Sequence, residues 1–122
     1  MPYAYRKSER LRKNKDFLST MKGKRLSADG LSLFYNRNNT TNFRVGISVS
    51  KKLANAVKRN RLRRRIRDCV MRALKDHTQG YDLVFVARQG LAAAEYEQVM
   101  KAVEAVLRRT SILTAKHEST AS

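Results

Sequence analysis

The sequence predicts one α+β domain, an α-β sandwich in which helices pack a small sheet. Apolar residues alternate with a period of two in two segments, run continuously in a third, and recur at helical spacing in three others. The resulting order is α-β-β-α-β-α, and 122 residues is a common length for a single domain. We expect the domain to span residues 14–109, between a flexible basic arm at 1–13 and a frayed C-terminal tail at 110–122.

The first helix is predicted to be short. Asn14 is a good N-terminal cap, and Gly23 is a good stop signal. Between them, Phe17, Leu18 and Met21 recur at helical spacing. This spacing predicts a helix of about two turns, with Phe17 and Met21 on the same face.

The next two elements are predicted strands that form a hairpin. Alternate residues of each strand are apolar and would face the core: Leu31, Leu33, Tyr35, Val45, Ile47 and Val49. The polar residues 36–42 between them are typical of a turn region. On the second strand, Gly46, Ser48 and Ser50 leave a face of small residues, on which either a nucleic-acid strand or a helix could lie.

The remaining elements are a long helix, an interior strand and a second amphipathic helix. The long helix begins near Asn55 and ends near Gly80, with an apolar stripe formed by Leu62, Ile66, Cys69, Val70 and Ala73. Residues 83–87 are apolar on both faces, which is typical of an interior strand. The last helix is predicted from the spacing of Tyr96, Val99, Met100, Val103, Val106 and Leu107. The long helix would join the second and third strands as a βαβ crossover.

Charge and composition limit the class of function. Lys and Arg number 27 against 10 Asp and Glu, a net charge of +17 that predicts a polyanionic partner.

No apolar run is long enough to span a bilayer, and the basic N-terminus lacks the apolar stretch of a signal peptide, so we expect a cytoplasmic protein with no membrane partner. Cys69 is the single cysteine, so no internal disulfide is predicted. Cys69, His77 and His117 are too sparse for a zinc site, so no bound metal is predicted.

The densest positive charge lies at the start of the long helix. No acid occurs between Lys51 and Arg67, and Lys52 continues the basic run that Lys51 begins. Seven of the ten residues 58–67 are basic: Lys58, Arg59, Arg61, Arg63, Arg64, Arg65 and Arg67. Guanidinium groups bind phosphate oxygens in pairs and stack on bases, so this composition favours a folded RNA as the partner.

The helical wheel places part of this charge on the solvent side. Asn60, Arg64 and Arg67 lie within about 60° of each other and opposite the apolar stripe, so burying the stripe would expose them as a ladder. An ordinary solvated helix face is the alternative interpretation. Phe17, Phe34 and Tyr35 lie on elements that could flank this surface, where they would either stack on unpaired bases or pack in the core.

One segment resembles a known family. Residues 44–67, RVGISVSKKLANAVKRNRLRRRIR, resemble the signature of the protein subunit of bacterial ribonuclease P, including its Arg59-Asn60-Arg61 core. The resemblance extends over about residues 10–110, since residues 11–17 are similar to the family's first helix and residues 81–88 to its last strand. It implies a ribosomal protein S5 domain 2-like fold with a left-handed βαβ crossover, against the usual hand. It also implies a cofactor to a catalytic RNA that removes 5′ leaders from precursor tRNA.

The resemblance assigns RNA contacts to two sets of residues. The basic set would bind the catalytic RNA and nearby substrate, and it comprises Lys51, Lys52, Arg59, Asn60, Arg61, Arg63, Arg64 and Arg67. The second set would line a cleft for the 5′ leader, and it comprises Phe17, Met21, Phe34 and Ser48. Met21 stands where the family leads us to expect a second aromatic residue. The implied partners are the catalytic RNA, with one protein per RNA, and precursor tRNA, and the isolated protein would be a monomer.

No catalytic residue is predicted on the protein itself. A protein nuclease needs a general base and acid, or clustered carboxylates that hold Mg²⁺. His77 lies near the end of the long helix, His117 lies in the tail, and the ten carboxylates are scattered. We therefore expect Mg²⁺ to be bound chiefly by the RNA and the isolated protein to bind no cofactor. The protein would neutralise phosphate repulsion and hold the leader.

Three other classes of protein are compatible with parts of the pattern. A ribosomal protein shares the small size, the basicity and the α/β plan, and would bind ribosomal RNA. A helix-turn-helix regulator would place the Arg-rich helix in a DNA major groove, but the segment before residue 55 is predicted as a strand and not as a short helix. An autonomous nuclease would need the acid and base that this chain does not supply.

Overall fold

The helices and strands follow one another in the order α-β-β-β-α-β-α along the described part of the chain. The computed structural model describes residues 14–38, 43–74, 80–91 and 94–110. The helices are α1 (Asn14–Met21), α2 (Ala56–Leu74) and α3 (Tyr96–Arg108), and the strands are β1 (Lys24–Ala28), β2 (Leu31–Arg37), β3 (Arg44–Val49) and β4 (Tyr81–Ala87). The predicted α+β fold class is confirmed, with one strand more than the predicted order. The arm predicted at 1–13 and the tail beyond Thr110 lie outside the described residues.

The four strands form one mixed sheet with the order β1-β2-β4-β3. The central strand β4 pairs antiparallel with β2 and parallel with β3. Every residue of β4 except Val86 is buried, which confirms the predicted interior strand. The parallel pairing of β3 with β4, which α2 joins along the chain, confirms the predicted βαβ crossover.

The predicted hairpin between β2 and β3 is wrong, because β4 lies between these two strands. Phe85 on β4 is the register partner of Leu33 on β2 and of Ile47 on β3. The strand β4 is apolar on both faces and is therefore buried. Its backbone N–H and C=O groups cannot reach water, so β4 needs a hydrogen-bonded strand along each of its two edges. The polar segment 36–42 is also longer than a typical hairpin loop of about 2–5 residues.

The sheet's hairpin is formed instead by β1 and β2, and β1 is a strand that the apolar pattern does not predict. Two of its residues are cations, and only Leu26 and Ala28 pack against the core. Asp29 and Gly30 join the two strands with φ angles of 51° and 84°. Such a two-residue left-handed turn specifies a hairpin through backbone twist and does not depend on apolar alternation.

The main hydrophobic core lies between one face of the sheet and the helices α2 and α3. The sheet contributes Leu31, Leu33, Val45, Leu83 and Phe85, which are all buried. The buried residues of α2 are Leu62, Ile66, Cys69, Val70, Met71 and Leu74, and those of α3 are Val99, Ala102, Val103, Val106 and Leu107. Both amphipathic helices are therefore confirmed, and of the predicted α2 stripe only Ala73 is half-buried.

The opposite face of the sheet, called the outer face below, carries the residues that alternate with the core residues. They include Arg25, Ser27, Ser32, Phe34, Arg44, Gly46, Ser48, Asp82, Val84 and Val86. The helix α1 packs over part of the outer face, against β1, β2 and β4. Thr20 of α1 is buried there, and Asp16 of α1 contacts Arg44 of β3. The fold thus covers one face of the sheet with two helices and the other face only in part.

Candidate nucleic-acid interface

The helix α2 begins with a capped but strongly cationic turn. The Asn55 Oδ1 atom accepts a hydrogen bond from the Lys58 backbone N–H (2.9 Å), which confirms Asn55 as the start of the helix. The first turn contains no acid. Lys58 and Arg59 lie near the positive end of the helix dipole, where a cation costs about 0.3–1 kcal/mol of stability. A sequence that departs from local stability rules in this way is typical of a functional surface.

The start of α2 is largely exposed on the sides that face away from the buried Leu62. Residues 56–58 and the side chains of Asn60, Arg61 and Arg64 are exposed. Further along the helix, Met71 and Leu74 are buried. The exposed charge is therefore concentrated in the first two turns, next to the connection from β3.

The structure brings the predicted RNA-binding set together at this end of the fold. Lys51 and Lys52 are exposed in the turn between β3 and α2, where the Leu53 N–H donates to the Ser50 carbonyl (3.1 Å). Arg59 and Arg63 are half-buried. The Arg63 Nη1 atom donates to Asn60 Oδ1 (2.7 Å), so Asn60 also orients a neighbouring guanidinium. We call the surface formed by Lys51, Lys52, Arg59, Asn60, Arg61, Arg63 and Arg64 the α2 ridge.

Arg67 differs from the prediction of full exposure. It shares one side of α2 with Asn60 and Arg64, but it is half-buried. Met71, one turn further along this side, is only 5% exposed. A helical wheel treats the surroundings as constant along the axis, whereas the protein encloses this side of the helix towards its C-terminal end. The predicted ladder is therefore exposed at Asn60 and Arg64 and ends at Arg67.

The cations of the α2 ridge are not neutralised by acids elsewhere in the described ranges. The ion pairs found in the described ranges that involve Asp16, Asp68 and Asp82 are made by Arg44 and Arg72, which lie outside the α2 ridge. An exposed surface with charges of one sign creates a positive potential that attracts a polyanion and raises its association rate. The geometry of α2 thus agrees with the polyanionic partner that the net charge predicts.

The outer face of the sheet presents the predicted cleft residues Phe34 and Ser48. Phe34 is paired with Val84 of β4, which is paired with Gly46 of β3. In the next row, Ser48 is paired with Val86, and Val86 with Ser32. Phe34 and Ser48 are both half-buried, so each is accessible in part on the same face of the sheet.

The helix α1 places the other two predicted cleft residues over this face. Phe17 is half-buried, and Met21 is 36% exposed. Phe17 lies near the side of α1 that carries the buried Thr20, and Met21 lies one turn further along beside Phe17, so the two residues share a face as the helical spacing predicts. Leu18 lies on another side of α1 and is 53% exposed. The helix α1 packs mainly against β1, β2 and β4, and Ser48 on the small-residue face of β3 is half-buried, so the approach of a nucleic-acid strand to this face stays a prediction.

An arginine on β3 fixes α1 relative to the sheet. The Arg44 Nε and Nη2 atoms donate to the two carboxylate oxygens of Asp82 at 2.7 Å each, and Nη1 lies 3.4 Å from Asp16 Oδ2 on α1. Asp82 Oδ1 also accepts a hydrogen bond from Asn38 Nδ2 (2.9 Å). The hydrogen bond to Asp82 raises the pKa of the Arg44 guanidinium further above its usual value. Asp16 directly precedes Phe17, so this network helps to position the α1 side of the candidate cleft.

Two exposed arginines outside the predicted RNA-binding set, Arg25 and Arg88, extend positive charge across the outer face. The Arg25 guanidinium lies 5.6 Å from the centre of the Phe34 ring. The Arg88 Nε atom donates to Ser32 Oγ (3.0 Å), and Ser32 Oγ is 2.8 Å from Ser27 Oγ. The Asp29-Gly30 turn signal identifies β1, and with it the position of Arg25 on the face that Phe34 shares.

The carboxylates in the described ranges do not form a metal centre. No three His, Cys, Asp or Glu side chains of these residues lie together as potential ligands. Asp16 and Asp82 contact Arg44, and Asp68 accepts a hydrogen bond from the Tyr96 hydroxyl (2.7 Å) and contacts Arg72. This hydrogen bond and partial burial raise the pKa of Tyr96. His77 and His117 lie outside the described residues.

Comparisons with known proteins agree in family and fold. A family model described as Ribonuclease P matches residues 5–111. The Ribonuclease P protein component of Streptococcus pyogenes serotype M5 (strain Manfredo) is 36% identical over 115 residues, which cover 93% of this chain and 96% of that protein. A solved structure of the Staphylococcus aureus RNase P protein has a TM-score of 0.79 at 34% identity, and covers 87% of this chain and 98% of that chain. A solved structure of the RNase P protein from Thermotoga maritima has a TM-score of 0.75 at 30% identity, and covers 84% of this chain and 97% of that chain.

None of the helices in the described part of the chain combines the length and the apolar character that crossing a membrane requires.

Proposed function

This chain belongs to the ribonuclease P protein family, and from that premise we propose that it binds the catalytic RNA of ribonuclease P and the 5′ leader of precursor tRNA. The protein is the non-catalytic component of an endoribonuclease that removes the leader and leaves the mature 5′ end of the tRNA. The observation that carries the proposal is the α2 ridge, whose cations reach solvent and form no ion pair with any described acid.

The α2 ridge binds the catalytic RNA and the nearby part of the substrate. Each cation that meets a phosphate releases a condensed counterion, and this release supplies much of the affinity for nucleic acid. The guanidinium groups of Arg61 and Arg64 are exposed, and the planar fork of N–H donors on a guanidinium matches the oxygens of a phosphate. Lys51 and Lys52 extend the same positive surface towards the edge strand β3.

The outer face and α1 hold the single-stranded leader. Unpaired bases stack on aromatic rings, and each such contact contributes about 1–3 kcal/mol. Phe34 on the sheet and Phe17 on α1 supply the rings, and Met21 supplies a thioether, which stacks less well on bases than a ring does. The small side chain of Ser48 allows a nucleic-acid backbone to approach β3 closely.

Bond cleavage takes place on the RNA. In this proposal Mg²⁺ is bound chiefly by the RNA, and the protein lowers the phosphate repulsion that opposes folding and substrate binding. Three of the described carboxylates are in keeping with this assignment, because Asp16, Asp68 and Asp82 are engaged by cationic or phenolic side chains. One protein acts with one RNA, the isolated protein is a monomer, and the complex works in the cytoplasm.

The proposal is tested by cleavage of one labelled precursor tRNA under three conditions: protein alone, catalytic RNA alone, and both together. We expect no cleavage by the protein alone. At an Mg²⁺ concentration low enough to limit cleavage by the catalytic RNA alone, adding the protein should raise the cleavage rate and the affinity for precursor tRNA.

A leaderless tRNA serves as the binding control, because it shares every contact except those of the leader. Cleavage by highly purified protein without RNA would show that the catalytic assignment is wrong. An unchanged rate and an unchanged substrate affinity on addition of the protein would reject the proposal as a whole.

A further inference from the structure

A half-open cavity of about 360 Å³ lies between the first turns of α2 and the residues that lead into α3. Its floor is apolar: Leu62 and Ala94 are buried, and Leu53 is half-buried. The volume is at the lower end of the range of ligand pockets, about 300–1,000 Å³. The site therefore suits a ligand group of modest size with an apolar surface.

The rim of the cavity is cationic. Lys58, Arg61 and Arg65 line it together with a single acid, Glu95, so the positive charge exceeds the negative charge by two. The Arg65 Nη1 atom donates to the Ala94 carbonyl (2.7 Å), which holds this guanidinium against the floor. Neither Lys58 nor Arg61 takes part in an ion pair with another described residue. A ligand that complements this cavity therefore has an apolar part, which packs on the floor, and a negatively charged group, which lies at the cationic rim.

The cavity is continuous with the α2 ridge. Arg61 and Arg65 also line a second depression, which includes Asn60, Arg64 and the 68% exposed side chain of Val57. A chain that follows the ridge along Arg64 and Arg61 therefore reaches the cavity without leaving the positive surface. This continuity points to the same polyanion that the ridge binds.

We propose that the cavity binds one unpaired nucleotide of the RNA partner. The base packs on the floor formed by Leu53, Leu62 and Ala94, and the adjoining phosphate lies at Lys58 and Arg61. Proteins recognise folded RNA mainly through such unstacked nucleotides, whose bases leave the helix and pack on protein side chains. The inference rests on the proposed function, because it adds a nucleotide site to the RNA surface already described.

The first test uses the full chain and adenosine 5′-monophosphate as the probe. In ¹H–¹⁵N NMR titrations at constant ionic strength, the nucleotide should shift amide signals of residues 53–62, 94 and 95. Adenosine without phosphate and inorganic phosphate should each bind more weakly than the nucleotide. Equal binding of inorganic phosphate and nucleotide would overturn the inference, since the floor would then have no role, and so would shifts scattered over the whole surface.

Lys58→Gln and Lys101→Gln form a matched pair of variants for the same titration. Both residues are exposed lysines on helices, but only Lys58 lines the cavity. Lys58→Gln should weaken nucleotide binding by about two- to fivefold, the effect of one charge at an exposed site, and Lys101→Gln should leave it unchanged. Equal losses in both variants would indicate binding through net charge alone and would overturn the inference.

The second test asks whether the ligand belongs to the RNA partner. A photoreactive group attached through Ala54→Cys, at a position that lines the cavity outside its floor, should crosslink to one or two neighbouring nucleotides of the catalytic RNA, and the same group on Lys101→Cys should not. Cys69 is fully buried, so labelling is directed to the introduced cysteine. Binding of the RNA without a specific crosslink would overturn the nucleotide site and leave the proposed function intact. Absence of RNA binding by the unmodified protein would count against the proposed function itself.

Discussion

At the scale of single residues, Arg44 connects the candidate cleft to the sheet. Its bidentate contact to Asp82 crosses from β3 to β4, and its longer contact to Asp16 reaches α1. Asp82 is only 7% exposed, so its charge depends on Arg44 and Asn38 for compensation. The two acids that share Arg44 are therefore expected to differ in their effect on folding.

Asp82→Asn should lower the free energy of unfolding by about 2–3 kcal/mol. Breaking a buried ion pair costs about 3–5 kcal/mol, and the 29% exposure of the Arg44 side chain reduces this through solvent screening. Asp16→Asn should cost less than about 1 kcal/mol, because its contact is longer and more exposed. Urea denaturation of the two variants measures the difference. Equal losses of unfolding free energy in the two variants would mean that Asp16 and Asp82 contribute equally to the ion pairs of Arg44.

Phe17→Ala should reduce the preference for leader-bearing over mature tRNA by about tenfold, the effect of losing one base-stacking contact. Leu18→Ala is the control, because Leu18 lies on another side of α1 and is more exposed. Binding of both tRNAs by each variant is compared after circular dichroism has shown an intact fold. Equal loss of both tRNAs in Phe17→Ala would assign Phe17 to packing and not to the leader.

At the scale of the elements, the helix α2 both packs in the core and presents a cationic surface. Its C-terminal half is buried against the sheet and α3, while its first turns combine the buried Leu62 with a high density of cations on the exposed sides. Exposed charges contribute little to folding, so substitutions in the two halves are expected to have separable effects. Arg67 lies at the boundary and is expected to affect both RNA binding and stability.

The double variant Arg61→Gln and Arg64→Gln should weaken binding to the catalytic RNA by at least about tenfold, since two phosphate contacts are lost. Its unfolding free energy should stay within about 0.5 kcal/mol of the parent protein. Lys22→Gln combined with Lys101→Gln removes the same net charge from exposed positions outside α2 and serves as the control. Filter binding and thermal denaturation provide the two measurements. Equal loss of RNA affinity in the control would show that the ridge has no special role.

The contact between α2 and α3 gives a prediction about pH. The hydrogen bond from Tyr96 to Asp68 raises the pKa of the phenol above its ordinary value of 10.0, so its stabilising effect is complete below that pH and declines as pH rises through the folded-state pKa. Tyr96→Phe should cost about 1–2 kcal/mol at neutral pH. The difference from the parent protein should narrow in strongly alkaline solution. A difference that stays constant with pH would assign the effect of Tyr96 to packing.

At the scale of the whole molecule, the net charge of +17 opposes the compact fold and favours association with a polyanion. Many of the cations of α2 and of the outer face are exposed, so solvent and salt screen part of their mutual repulsion. Binding of RNA is therefore expected to stabilise the protein as well as to depend strongly on salt.

If about five arginines meet phosphates, the logarithm of RNA affinity should fall with the logarithm of salt concentration at a slope of about −3.5 to −4.5. Titrations at several potassium chloride concentrations measure this slope. The Arg61 and Arg64 double variant should make the slope less negative by about 1.4–1.8, in proportion to the two contacts removed. A slope near zero would contradict phosphate contact.

Local patterns in the sequence were sufficient for most of the elements and for the class of partner. Helical spacing identified α1, α2 and α3, and continuous apolarity identified the interior strand β4, because these signals arise from burial of a helix face or of a whole strand. The density of cations before Asp68 predicted a polyanionic partner, since charge of one sign has the same consequence in any fold.

The tertiary structure alone decided which strands are neighbours and where exposure ends. β2 and β3 are separated because backbone pairing joins strands that are distant along the chain, and Arg67 is half-buried because other elements enclose the C-terminal part of α2. Arg25, Arg88 and the nucleotide cavity also come from elements that meet only in the folded chain. Periodicity reports which way a side chain points from its own element, whereas contacts between elements depend on the path of the whole chain.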